Sequence, residues 1–149
     1  MAVINQTSVN SKVKLIDARG PRFSAAITAL VLAAALVTQS ATLIAIQLVV
    51  FAIGAFAGPA KTPYAFLFKK FVKPRLKGEV ITEDARPPQF AQSVGLIFAV
   101  VALAGSLLSI PALFTVAVGF ALFAAFLNAA FNFCLGCEIY LIAIRIIKK

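Results

Sequence analysis

Apolar and polar residues fall in blocks along this chain. From Phe23 to Thr38 it is almost wholly apolar, a short polar Thr-Gln-Ser-Ala follows, and it is apolar again from Leu43 to Ala57. The layout recurs from Phe90 to Leu108 and from Ala112 to Phe133, across Ser-Ile-Pro. Four helices in two hairpins are predicted. The first two runs hold about 16 residues each, roughly 25 Å at ~1.5 Å per residue, which just meets a hydrocarbon core of about 30 Å if flanking side chains snorkel. Ser109, ahead of Ile110-Pro111, is expected to be an N-cap with proline in the first turn, and Thr42 takes the matching place in the first hairpin.

The polar block Asp-Ala-Arg-Gly-Pro-Arg-Phe at 17–23 returns as Asp-Ala-Arg-Pro-Pro-Gln-Phe at 84–90, 67 positions later. At that spacing Ile27 meets Val94, Leu36 meets Leu103, and the run 54–58 meets 121–125. Two hairpin repeats follow, and because each has an even number of spans they run parallel, about an axis near the membrane normal. Each copy marks the entry to a hairpin: Asp17 with Arg19 and Pro21, then Asp84 with Arg86 and Pro88. Local pairing or capping within each copy is preferred over a bound anion. Between the repeats, Tyr64, Leu67, Phe68, Phe71 and Val72 recur at helical spacing while Lys69, Lys70 and Lys73 point elsewhere. That is an interfacial amphipathic helix over about 62–74, ended by Pro74, with Lys69, Lys70, Lys73 and Arg75 attracted to anionic lipid. The expected fold class is an all-α membrane protein. It is a single domain over 1–149, with a cytoplasmic tail (1–16), repeat 1 (17–83) and repeat 2 (84–149).

Composition supports the membrane setting. The chain is 62% hydrophobic and 13% charged, with mean hydropathy +1.00, against about 25% charged in soluble domains. The net charge of +9 reflects placement, not nucleic-acid binding. All fourteen Lys and Arg lie in the two tails or the central connection, and neither hairpin turn carries one. The positive-inside rule then sets both termini in the cytoplasm of a multi-pass cell-membrane protein. A cleaved signal peptide would leave one half unpaired. The chain has no His, so imidazole acid-base chemistry and His ligation are excluded. No Asp, Glu, Lys or Arg falls within the spans, which argues against ion-coupled transport. Gln47, Gln92 and Asn128 are read as helix-to-helix hydrogen-bonding groups, and Gly54 and Gly58, matched by Ala121 and Ala125, as a close-approach face joining the second and fourth helices at the pseudo-axis or across a dimer.

One feature breaks the repeat. Cys134 and Cys137 are the only cysteines, spaced C-x-x-C at the cytoplasmic end of the fourth helix, where the first half has Leu67 and Lys70. Positions i and i+3 share a helix face, and Gly136 adds backbone freedom for a bridge. A permanent disulfide does not suit a reducing cytosol; redox exchange, sulfur transfer and simple packing all remain open. Two cysteines are half a zinc site, completed only by a dimer or partner. No cofactor is expected. The far end of a span and the adjacent Glu138 both disfavour thiolate, offset if a new helix starts near Cys137 or if Lys69, Lys70 or Arg86 lies nearby. Asn132 is a partner to Cys134 only if the helix breaks.

The motifs at 17–23 and 84–90, the run 54–76 and the closing Cys-Leu-Gly-Cys together resemble the bacterial four-helix membrane-protein family classed as domain of unknown function 4395, over about residues 16–147. The resemblance implies neighbours of the thioredoxin-like or rhodanese type, and so a thiol or sulfur role for Cys134 and Cys137. The form is also similar to quinone-linked disulfide-forming membrane enzymes, from which this chain departs by its cytoplasmic placement and single pair. The leading expectation is a cytoplasm-facing dithiol protein exchanging electrons or sulfane sulfur with a soluble thioredoxin-like or sulfurtransferase partner. Cys134 is taken as nucleophile and Cys137 as resolving thiol. The alternatives are a scaffold subunit of a homo-oligomer or larger membrane complex, and a small-solute carrier.

Overall fold

In the computed structural model the described residues are 15–17, 19–75, 82–131 and 133–147. The apolar runs form α1 (Arg19–Thr38), α2 (Ala41–Phe56), α4 (Arg86–Leu107) and α5 (Pro111–Phe131). Three of these are long and apolar enough to cross a membrane, and α2, at 16 residues, is shorter. Between them lies α3 (Pro63–Leu67), which continues as a π turn (Phe68–Val72) and a 3-10 turn (Lys73–Arg75). A last helix, α6, covers Leu135–Ile147. Large apolar side chains such as Leu30, Val37, Ile97, Phe120 and Phe123 face outward. A surface of that kind belongs against lipid hydrocarbon, not water.

Both hairpins turn through the same device. Gln39 and Ser109 have φ of 55° and 58°, and the next residues donate back five positions, Ser40 N to Ala35 O and Ile110 N to Gly105 O. This is the Schellman stop. The expected caps are therefore corrected. Ser40, not Thr42, caps α2 by accepting from Leu43 N at 3.2 Å, while Ser109 is the left-handed residue ending α4 and no N-cap. Near these turns Leu32, Ala35, Ile44, Ala102, Phe114, Ala117 and Val118 form the buried core. Alanines let the helices close on Phe114.

Helices pair across the hairpins, α1 along α5 and α2 along α4. The close-approach expectation is corrected accordingly: Gly54 serves α4, not α5. A Cβ at Gly54 would stand 2.7 Å from the Gln92 side chain, and one at Gly95 2.6 Å from the Phe51 ring. Gly58 has φ of 114° and nothing near it; it lets the chain leave α2.

At the opposite end, where α1 and α4 begin, the short segments that lead into the two entry motifs pair with each other. Strands β1 (Leu15–Asp17) and β2 (Thr82–Asp84) form an antiparallel ribbon with Ile16 opposite Glu83, its counterpart at the 67-residue spacing. The α3 segment also differs from expectation. Its buried side chains are Ala65 and Phe68, while Leu67 and Phe71 are exposed, because the segment docks on α1: Phe68 lies against Phe23, ring centroids 5.7 Å apart, and over Gly20. Tyr64 reaches inward to donate to Gln47 Oε1 at 2.8 Å. Pro74 sits within the closing 3-10 turn and does not end the helix before it.

Candidate dithiol site

Helix α5 does not run on into the cysteines. It ends at Phe131, Phe133 N turns back to Leu127 O at 3.2 Å, and α6 begins at Leu135. The expectation of a C-x-x-C at the far end of a span is overturned. Cys134 is the residue that opens α6, its Sγ accepting from Cys137 N at 3.2 Å and its carbonyl from Glu138 N at 3.0 Å. That is an N-cap built from sulfur. The break comes before Cys134, so Gly136 is an ordinary helical residue. A Cβ there would stand 2.7 Å from Ala91 Cβ and 2.8 Å from Ala91 Cα, so its absence lets α6 lie against α4.

Cys134 and Cys137 are joined as a disulfide with Cα atoms 5.1 Å apart. Cys137 is 2% exposed and Cys134 is partly exposed, so the second cysteine is shielded and the first is the less buried of the two. The positive end of α6 favours thiolate at its first residue. Glu138 in the first turn opposes it, and so would the carbonyl end of α5 just before. Arg22 covers those carbonyls, donating from Nε to Ala129 O at 3.0 Å and from Nη2 to Ala130 O at 3.4 Å. Arg22 was not among the cations expected near the cysteines, which were Lys69, Lys70 and Arg86. The signal lay in the repeated motif, where Arg22 stands against Gln89. Gln89 makes the matching bond in the other half, from Nε2 to Ala55 O near the end of α2 at 2.8 Å, without a charge.

The cysteines also take a different counterpart from the one expected. Thr62 caps α3 by accepting from Ala65 N at 3.2 Å, the bond that Cys134 makes to Cys137. Phe68 on Phe23 is likewise matched by Tyr140 on Phe90 at 5.5 Å. Cys134 and Cys137 therefore stand where the first half has Thr62 and Ala65, not Leu67 and Lys70. Asn132 lies outside the described residues.

The family model described as Domain of unknown function (DUF4395) matches residues 16–145. The chain belongs to the DUF4395 family. No curated protein and no solved structure matches it. Within this DUF4395 chain the other singled-out residues gather at the entry ribbon. Arg19 donates from Nε and Nη2 to the two Asp17 oxygens at 3.1 and 3.0 Å, and Lys73 Nζ stands 3.6 Å from Oδ2. The Arg19 hydrogen bonds hold the Asp17 carboxyl below its ordinary value. Pro88 is buried in the first turn of α4, and Pro21 is partly buried at the start of α1. Arg86 is exposed, and the Asp84 side chain lies outside the described residues. Lys70 packs over the Phe66 and Phe71 rings at 5.7 and 5.6 Å, and Arg75 is exposed at the end of the segment. Among the described residues no three His, Cys, Asp or Glu side chains gather to hold a metal.

Proposed function

We propose that this chain is a four-span cell-membrane protein of two parallel hairpin repeats, both termini cytoplasmic, whose Cys134–Cys137 pair exchanges electrons or sulfane sulfur with a soluble thiol partner. The observation that carries the reading is the capping geometry: a partly exposed cysteine at a helix N-terminus, bonded through sulfur to a buried one a turn on. The symmetric ribbon, the paired ring contacts and the two identical turns support the duplicated frame.

The exchange balances within the two proteins. A partner thiolate attacks Cys134 Sγ, the Cys134–Cys137 bond breaks, and Cys137 leaves as thiolate and takes a proton. The partner's second thiolate then attacks its own sulfur in the mixed disulfide and expels Cys134. Two electrons and two protons have passed to the pair, and the partner holds a disulfide. With a persulfide donor and the pair reduced, Cys134 takes the outer sulfur and frees the donor thiol. Cys137 then attacks Cys134 and releases hydrosulfide, restoring the disulfide. A thioredoxin-like or rhodanese-type partner fits this chemistry.

Reduced protein in inverted vesicles is expected to react with a membrane-impermeant maleimide at Cys134, and right-side-out vesicles to protect it. Reaction only from the outer face, or from neither, would sink the reading. Arg22→Gln is expected to slow Cys134 alkylation at pH 7 by roughly three- to ten-fold, the size of a helix-end charge effect, with the pH profile moved upward. Arg22→Lys keeps most of the rate. An unmoved profile in Arg22→Gln rules out a role for that cation.

A further inference from the structure

A cavity of about 270 Å³ lies between the entry ribbon, α1, α3 and the first turns of α4. At roughly 30 Å³ per water-sized group it holds about nine such groups. Its wall is largely apolar, from Pro21, Pro59, Ala65, Phe68 and Pro88, and besides the hydroxyls of Ser24 and Thr82 its polar groups fall in two sets. Toward the surface stand Lys69, exposed and without an ion pair or ring contact among the described residues, and half-exposed Lys73. Asp17 also lines the space, but its oxygens are occupied by Arg19. Lys73 Nζ is itself 3.6 Å from Asp17 Oδ2, and among the described side chains Arg19, Lys69 and Lys73 outnumber Asp17.

The other polar feature is the Gln92 amide. It lines the cavity and presses on the α2 backbone at Gly54, and its buried Oε1 has no partner among the described residues. A buried polar atom without a partner calls for one. With the side chain turned from Gly54 toward the cavity, a hydroxyl satisfies that end of the amide in either orientation, because it both donates and accepts. The π turn Phe68–Val72 forms the cavity's outer wall and carries Lys69; such turns are frequent at functional sites.

We propose that this cavity seats a phosphate ester bearing free hydroxyls, its phosphate beside Lys69 and Lys73 and a hydroxyl on Gln92. Two sources share that chemistry: a glycerol-bearing lipid headgroup and a soluble polyol phosphate. The site is independent of the dithiol reading.

The test is native mass spectrometry of the full chain released from detergent micelles, with phosphatidylglycerol, phosphatidic acid or phosphatidylethanolamine added. Phosphatidylglycerol is expected to be retained over the other two. Lys69→Gln lowers its retention roughly five-fold, the effect of one lysine at an anionic surface, and Gln92→Leu removes the advantage over phosphatidic acid. Lys70→Gln, which alters a lysine stacked on Phe66 and Phe71 outside the lining, costs less retention than Lys69→Gln and leaves the advantage of phosphatidylglycerol over the other two lipids unchanged. Displacement of the lipid by millimolar glycerol 1-phosphate marks a soluble source, and its failure marks the lipid. Equal retention of phosphatidylglycerol and phosphatidic acid with no glycerol 1-phosphate binding overturns the proposal. So does an equal loss in Lys69→Gln and Lys70→Gln, which is surface attraction alone.

Discussion

Cys134→Ser is expected to abolish thiol exchange, slowing turnover with a model dithiol by roughly a thousand-fold or more, the scale of losing a nucleophile, while leaving the reduced fold intact. Serine is among the best N-caps, and its oxygen takes the place of sulfur in accepting from Cys137 N, as Thr62 does from Ala65 in the other half. The loss is therefore chemical and not structural. The remaining Cys137 is 2% exposed and out of a partner's reach. Cys137→Ser gives the opposite result: Cys134 still attacks, but no second sulfur resolves the adduct, so a mixed disulfide accumulates. Non-reducing electrophoresis after incubation with a cell extract reads both variants. Adducts through Cys137 in Cys134→Ser, or none through Cys134 in Cys137→Ser, would reverse or remove the assigned roles. The second outcome is the one a scaffold with packed cysteines produces.

Much of the frame was legible in the residues, because hydrocarbon imposes length and polarity on every span. Apolar runs of about the right length predict helices in lipid with little ambiguity. Ile16 and Glu83, equivalent positions at the 67-residue spacing of the entry motif, stand opposite each other in the ribbon. The ribbon itself was not predicted, since three polar-flanked residues carry no strand pattern. The cap assignments failed because Thr38, Ser40 and Thr42 crowd the first turn and Ser109 stands directly before Ile110-Pro111 in the second, while the left-handed backbone that decides leaves no mark at Gln39 or Ser109. The partner of Gly54 was invisible because a small residue shows that something approaches, without saying what.

The break before Cys134 had one available clue. An unbroken helix from Pro111 to Ile147 would cover 37 residues, about 55 Å at ~1.5 Å per residue, nearly twice a hydrocarbon core of about 30 Å. A bend was required somewhere, yet neither proline nor glycine lies between Phe131 and Cys134 to locate it. Tertiary contact places it: Arg22 binds the last α5 carbonyls, and α6 turns aside to lie on α4. The thiol pair and the arginine that binds the end of α5 thus come from different hairpins. Reading the fourth helix alone could not have joined them.

That dependence on α4 gives the second large effect. Gly136→Ala is expected to destabilise the reduced protein by about 1–3 kcal/mol, the cost of overpacking, and to expose Cys137 to alkylation. In an isolated helix the same change would gain up to about 1 kcal/mol, because glycine is the poorer helix former. Here the new methyl group would stand 2.7 Å from Ala91 Cβ and 2.8 Å from its Cα. Backbone cannot swing aside as a flexible side chain does, so α6 must shift off α4, and the steric cost exceeds the propensity gain. Gly119→Ala is the matched control. Gly119 is also helical, in α5, but a Cβ there meets nothing within 4 Å, so that variant should be neutral or more stable by up to about 1 kcal/mol. Thermal unfolding in detergent separates the signs, and maleimide labelling of Cys137 in the reduced state reports the displacement. Equal stability changes in the two variants, with Cys137 still protected in Gly136→Ala, would show that α6 is not held against α4 through this contact. The shielding of the resolving sulfur would then need another cause.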